Sequence, residues 1–148
     1  EGRDMKLAVV NGPNLNLLGT REPDLYGSET LSDMEKRVVA RADELGVEVE
    51  FFQSNHEGAL IDFIQTTSKF DGLILNPGGY GHTSVALADA IAGVGITVVE
   101  VHVTNIHARE AFRSSTYSAR VATALVSGLG IAGYVAALDF LWAKNSGN

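Results

Sequence analysis

Short apolar runs rich in β-branched residues alternate along this chain with segments whose apolar positions recur every three or four residues. Leu7-Ala8-Val9-Val10 is continuously apolar and stops at Asn11-Gly12-Pro13, which predicts a buried strand meeting a turn. Leu31, Met34, Val38, Ala42 and Leu45 follow helical spacing, with Thr30 and Asp33 placed as a capping box and Gly46 as the stop. Val47-Glu48-Val49-Glu50-Phe51 alternates with period two, which leaves one face wet and suits an edge strand. Ser54 and Glu57 are spaced as a second capping box ahead of Leu60, Ile61 and Ile64. Gly72-Leu73-Ile74-Leu75 predicts a third strand, stopped by Asn76-Pro77-Gly78-Gly79, and residues 84–92 predict a helix ended by Gly93 and Gly95. Ile96-Thr97-Val98-Val99 opens a fourth strand that runs out at Glu100-Val101-His102. Residues 104–118 are polar and irregular, with room for a helical turn, before a fifth strand over 122–126 and a closing helix over 133–144.

Strands alternating with helices imply βαβ units and a parallel sheet, an α/β protein. Five strands in this length suit the flavodoxin-like order 2-1-3-4-5, in which strand 2 lies at an edge, as its period-two pattern requires. In such an open sheet ligands bind beyond the carboxyl ends of the strands, at the switch point between strands 1 and 3. The three most polar loops follow strands 1, 3 and 4, so topology and chemistry select the same crevice.

The first loop carries Asn14, Asn16, Arg21 and Tyr26. A phenol titrates near 10, so a tyrosinate base at neutral pH needs a nearby cation such as a guanidinium. Arg21 and Tyr26 fit that arrangement and fit equally a solvated arginine beside a packed tyrosine. The second loop places Asn76 at a strand end and His82, Thr83 and Ser84 at a helix start, where a hydroxyl caps the helix. The third places Glu100 two residues before His102. Residues i and i+2 of a strand share a face, so Glu100 can orient His102 and hold its charged form, the arrangement of a general acid. Arg109 and Arg113 lie four apart, on one face of any helical turn, and suit either a small anionic substrate or surface salt bridges.

Composition narrows the classes. The 148 residues are 45% hydrophobic and 20% charged, which fits one globular domain spanning 1–148, with residues 1–4 as an extension ahead of Met5. Zero cysteines exclude disulfides, thiolate metal sites and a cysteine nucleophile. The net charge of −7 argues against nucleic acid or an anionic membrane as partner. No apolar run approaches the ~18 residues of a membrane span, and no signal-peptide pattern opens the chain, so a cytoplasmic protein is expected. Gly128-Leu-Gly130-Ile-Ala-Gly133 matches a dinucleotide fingerprint in form, but no strand or acidic residue follows at the required distance. His56, His82, His102 and His107 have no metal-ligand spacing. A flavin- or nucleotide-binding module would need a phosphate cradle that the first loop lacks, and Pro13 removes a backbone donor there. A phosphoacceptor domain would need acidic residues where Asn11 and Asn14 stand.

The runs NGPNLNLLGTREP with Tyr26-Gly27, NPGGYGHTSVALADA, EVHVTNIHAREAFR and GLGIAGY resemble those of type II 3-dehydroquinate dehydratases, over most of the chain. The resemblance implies a cofactor-free, metal-free anti elimination of water from 3-dehydroquinate through an enolate, a step of the shikimate pathway. It implies Tyr26 as base, Arg21 as its activator and Asn14 as holder of a water near the enolate oxygen. His102 matches the general acid and Glu100 its orienting carboxylate. Asn76 and Thr104, with the amides of Val103 and Thr104, match the grip on the substrate carboxylate, and His82 and Arg113 match contacts to ring hydroxyls. Asp89 matches a residue lent by a neighbouring subunit, in dodecamers built from trimers. Three positions depart from the common pattern: Gly81 and Ala88 stand where Thr and Arg are frequent, and Thr104 replaces a frequent Ser.

Overall fold

The computed structural model describes residues 5–20 and 22–147. The residues expected to precede the domain, 1–4, and Arg21 lie outside the described residues. Five parallel strands form one sheet in the order β2-β1-β3-β4-β5: β1 (Met5–Asn11), β2 (Val47–Gln53), β3 (Gly72–Asn76), β4 (Val98–His102) and β5 (Ala124–Ser127). This is the expected order, with β2 at an edge and its Glu48 and Glu50 exposed. Five α-helices accompany the sheet: α1 (Pro23–Tyr26), α2 (Leu31–Leu45), α3 (Glu57–Gln65), α4 (Val85–Val94) and α5 (Ala132–Asn145).

Successive side chains of a strand face opposite ways, so a continuously apolar strand feeds two cores. Leu7 and Val9 of β1 pack with Met34, Val38 and Ala42 of α2 and Ala137, Leu138 and Leu141 of α5. Ala8 and Val10 pack on the other face with Leu60 and Ile64 of α3 and Leu87 and Ile91 of α4. Thr30 caps α2 as expected: its hydroxyl accepts from the Asp33 amide, and the Asp33 carboxylate accepts from the Thr30 amide. The second capping box does not form. His56 is the N-cap of α3, Ser54 accepts from the His56 amide instead, and Glu57 accepts a hydrogen bond from Ser84, the cap of α4. The two helices on that face are thereby tied together at their starts.

The segment read as irregular, 104–118, holds two 3₁₀ turns, Ile106–Ala108 and Ala111–Arg113, and a third, Ser118–Val121, begins at its last residue. Arg109 and Arg113 therefore share no helical turn, contrary to the spacing argument. The glycine-rich run after β5 is occupied with backbone bonds: Gly128 and Gly130 donate to the carbonyls of His102 and Val103. No helix among the described residues is long and apolar enough to cross a membrane.

Candidate active site

At the switch point β1 and β3 end side by side, with Asn11 opposite Asn76. The Gly12 amide donates to the Asn76 carbonyl at 2.8 Å, and a Cβ on Gly12 would lie 2.3 Å from the Pro77 oxygen. Only glycine permits the two loops to approach this closely. Beneath them Tyr134 of α5, fully buried, donates to Asn11 Oδ1 at 2.6 Å and accepts from Asn76 Nδ2 at 2.9 Å. The Asn76 Oδ1 accepts from the Gly78 amide, which fixes the amide orientation. Burial pushes the Tyr134 phenol well above its ordinary value, so it remains a donor at any physiological pH.

Over this floor opens a cavity of about 140 Å³. Pro13, Leu15, Leu18 and Ile106 supply apolar wall, and Asn14, Tyr26, Asn76, His82, His102, Val103, Thr104, Arg109 and Arg113 supply the polar groups. Eight of the expected site residues thus meet at one place. Asn14 takes a left-handed backbone, φ 70°, and its amide donates to Asn55 Oδ1, so the first loop is stitched to the end of β2. Tyr26 closes the four-residue α1 and is half-buried at the cavity edge.

His102 is held from behind. Its Nε2 is 2.7 Å from Glu100 Oε2, and both side chains are buried, Glu100 completely. An ionised carboxylate only accepts, so Nε2 carries the hydrogen and Nδ1 is the nitrogen left for exchange with a substrate. His82 is fixed the other way round. Its Nδ1 is 3.0 Å from the Ser115 carbonyl, which also only accepts, so Nε2 is its free nitrogen. The two rings lie 6.1 Å apart, close enough for one small molecule to touch both.

Arg109 was left open by the sequence, and the structure brings it to the cavity. Its guanidinium lies 5.3 Å from the centre of the Tyr26 ring and donates to the Thr104 hydroxyl at 3.3 Å. Arg113 also lines the cavity, with its Nε paired to Glu110 at 2.8 Å. Asp89 does not join them: it is exposed on α4, outside the cavity lining. Among the described residues no cluster of three or more His, Asp or Glu side chains could hold a metal.

Comparison with known proteins gives this geometry a family. The model of the family described as dehydroquinase class II matches residues 5–142. The chain belongs to the class II dehydroquinases. A 3-dehydroquinate dehydratase of Dinoroseobacter shibae is 55% identical over 140 residues, covering 94% of this chain and 93% of that protein. A protein of Aspergillus terreus named catabolic 3-dehydroquinase 1 is 52% identical over 134 residues, 90% of this chain and 88% of the relative. The solved type II dehydroquinase of Butyrivibrio crossotus superposes with a TM-score of 0.91 at 43% identity, covering 93% and 97% of the two chains. Within this dehydroquinase, sequence reasoning missed Tyr134 and Thr116. Thr116 is buried outside the cavity lining and donates to Glu100 Oε2 at 2.6 Å. Tyr134 left one trace, a polar-tipped aromatic closing the GLGIAGY run.

Proposed function

We propose that this class II dehydroquinase removes water from 3-dehydroquinate to give 3-dehydroshikimate, as a hydro-lyase of the shikimate pathway working in the cytoplasm without metal or organic cofactor. The observation that carries the reading is the buried Glu100–His102 pair opening onto a cavity that Tyr26 also lines. The proton to be removed is α to a ketone, so a modest base suffices once the enolate oxygen is stabilised. Tyr26 takes that proton, with Arg21 as its activator and the Arg109 guanidinium beside its ring. Asn14 holds the water that hydrogen-bonds the enolate oxygen. His102, cationic and braced by Glu100, protonates the leaving hydroxyl from the opposite face of the ring. Asn76, the Thr104 hydroxyl and the amides of Val103 and Thr104 receive the substrate carboxylate, and His82 and Arg113 bind the ring hydroxyls.

The working enzyme is a dodecamer built from trimers, in which Asp89 of one subunit completes a neighbour's site. Support for assembly comes from large apolar side chains left exposed in one chain, Phe112, Tyr117 and Val121 from the segment leading into β5 and Leu125 from β5 itself. The reaction is tested by following the ultraviolet absorption of the conjugated enone, with chelator present and no cofactor added. Turnover is expected under those conditions and is expected to fall by about 10²-fold or more in Tyr26→Phe, as loss of a general base predicts. Near-normal turnover in Tyr26→Phe refutes the base assignment, and dependence on added metal refutes the mechanism.

A further inference from the structure

Glu100 is asymmetric in its bonding. Oε2 receives both His102 Nε2 at 2.7 Å and the Thr116 hydroxyl at 2.6 Å, whereas no donor among the described residues reaches the buried Oε1. Its neighbours on the flanking strands are Leu75 and Leu125, whose side chains offer no hydrogen bond. Thr116 has one hydroxyl hydrogen, and its oxygen already accepts from the Ala119 amide at 2.9 Å. The hydrogen therefore goes to the carboxylate, and acceptance from Ala119 strengthens the donation. The preceding residue, Ser115, supplies the carbonyl that fixes His82. The next, Tyr117, donates its amide to the Gly81 carbonyl at 2.8 Å, and a Cβ on Gly81 would lie 2.8 Å from Pro77 Cγ and 3.4 Å from Thr116 Cβ. Glycine at 81 thus lets the second loop fold tightly over Pro77 while its carbonyl holds the end of this tripeptide.

We propose that Thr116 is a positioning residue for proton delivery: through Glu100 it keeps the shared proton on His102. The inference rests on His102 being the acid of the reaction above. A hydrogen bond donated to the anionic carboxylate stabilises the state in which Glu100 is ionised and His102 carries the hydrogen. Without it the buried carboxylate competes for that hydrogen, and the acid is weakened while its ring stays in place. Other charged or titratable groups near His102 are His82, 6.1 Å away ring to ring, and Tyr26, Arg109 and Arg113 in the cavity wall. None of these touches Glu100 by a hydrogen bond.

The test compares Thr116→Val, Thr116→Ala and Thr116→Ser with His102→Asn in the full enzyme, measuring kcat and KM across pH. Both variants lacking the hydroxyl are expected to lose about 10- to 100-fold in kcat, a share of the ~10²–10⁴ that acid–base catalysis contributes. KM should move less than about threefold, since Thr116 touches no substrate group. A donor to the anionic carboxylate favours the deprotonated form of the pair, so removing that donor tightens the pair's hold on the proton. The basic limb of the pH–rate profile therefore moves to higher pH. Thr116→Ser restores both the plateau and the limb. A folded Thr116→Val or Thr116→Ala enzyme with the plateau and limb of the unaltered protein overturns the proposal. So does a lowered plateau with an unmoved limb that serine fails to restore, which is the mark of lost packing. Normal turnover in His102→Asn overturns the acid assignment and this inference with it, so the two failures are distinct. Should neither hydroxyl-free protein fold, the hydroxyl proton of Thr116 in the unaltered enzyme decides by nuclear magnetic resonance. Its shift is expected to follow the basic limb, and a pH-independent shift overturns the role.

Discussion

Removing one oxygen atom from Tyr134 would leave two buried amide groups without partners, Asn11 Oδ1 and Asn76 Nδ2. Such orphaned groups cost about 1–3 kcal/mol. Tyr134→Phe is therefore expected to be less stable by roughly that amount, and to bind substrate more weakly because Asn76 keeps only its bond from the Gly78 amide. The same phenol also makes stability depend on pH. Burial holds it protonated in the folded chain, well above its ordinary value of about 10. Below that value both states keep the proton and the contribution is complete. Above it the unfolded chain releases the proton while the folded chain keeps it, so stability falls by about 1.4 kcal/mol per pH unit until the folded phenol ionises. Urea melts between about pH 9 and 11.5 should show this slope in the unaltered protein and a shallower one in Tyr134→Phe. Equal slopes would mean that Tyr134 ionises like an exposed tyrosine. Residue by residue, legibility followed sequence distance. Glu100 and His102 sit two apart on one strand, so their pairing could be read directly. Tyr134 reaches Asn76 across 58 residues and Asn11 across 123, and no local pattern records contacts of that span.

Elements announce themselves where a period or a cap is local. The capping box of α2 is closed within four residues, so Thr30 and Asp33 revealed it. Ser54 and Glu57 had the same spacing but other partners, His56 nearby and Ser84 on the next helix. The polar stretch after β4 has no period at all, because its short turns serve different neighbours: Ile106 and Arg113 line the cavity, while Ser118–Val121 packs against α4. Arg109 and Arg113 reach the site on separate segments, both beside Glu110, rather than on one helical face. The close approach of the loops after β1 and β3 is an element-level device, and Gly12 tests it. A methyl group there would overlap the Pro77 carbonyl, so Gly12→Ala must push the two strand ends apart. Overpacking of this kind costs about 1–3 kcal/mol. The expected result is a lowered melting temperature together with a kcat loss larger than that of Gly58→Ala, where a Cβ meets nothing within 4 Å. Equal activity in the two variants would show that loop spacing does not set the geometry of Asn14 and Asn76.

At the scale of the whole molecule, sheet order was legible because burial is written into strand composition. The sheet packs against helices on both faces, so inner strands read as unbroken apolar runs while β2 alternates. The order then places the cavity between β1, β3 and β4, where three polar loops converge. What a lone chain cannot supply is any residue contributed from outside it. Asp89 lies exposed on α4 and takes no part in the cavity of its own chain. Its neighbours Leu87, Ala88 and Ile91 are buried, so the helix turns Asp89 away from the core that those residues enter. Two roles fit a carboxylate so placed: a solvated helix position, or a ligand for the site of an adjoining subunit. They differ in what happens on dilution and on substitution. A solvated Asp89 predicts that Asp89→Ala changes stability by no more than about 0.5 kcal/mol and leaves KM and kcat alone. A shared site predicts that Asp89→Ala impairs turnover without altering the Glu100–His102 pair, and that specific activity falls as the assembly dissociates. Light scattering and enone formation, measured on the same dilution series for both proteins, separate the cases. A fully active monomer, or an assembled Asp89→Ala enzyme with unchanged kinetics, returns Asp89 to the solvent.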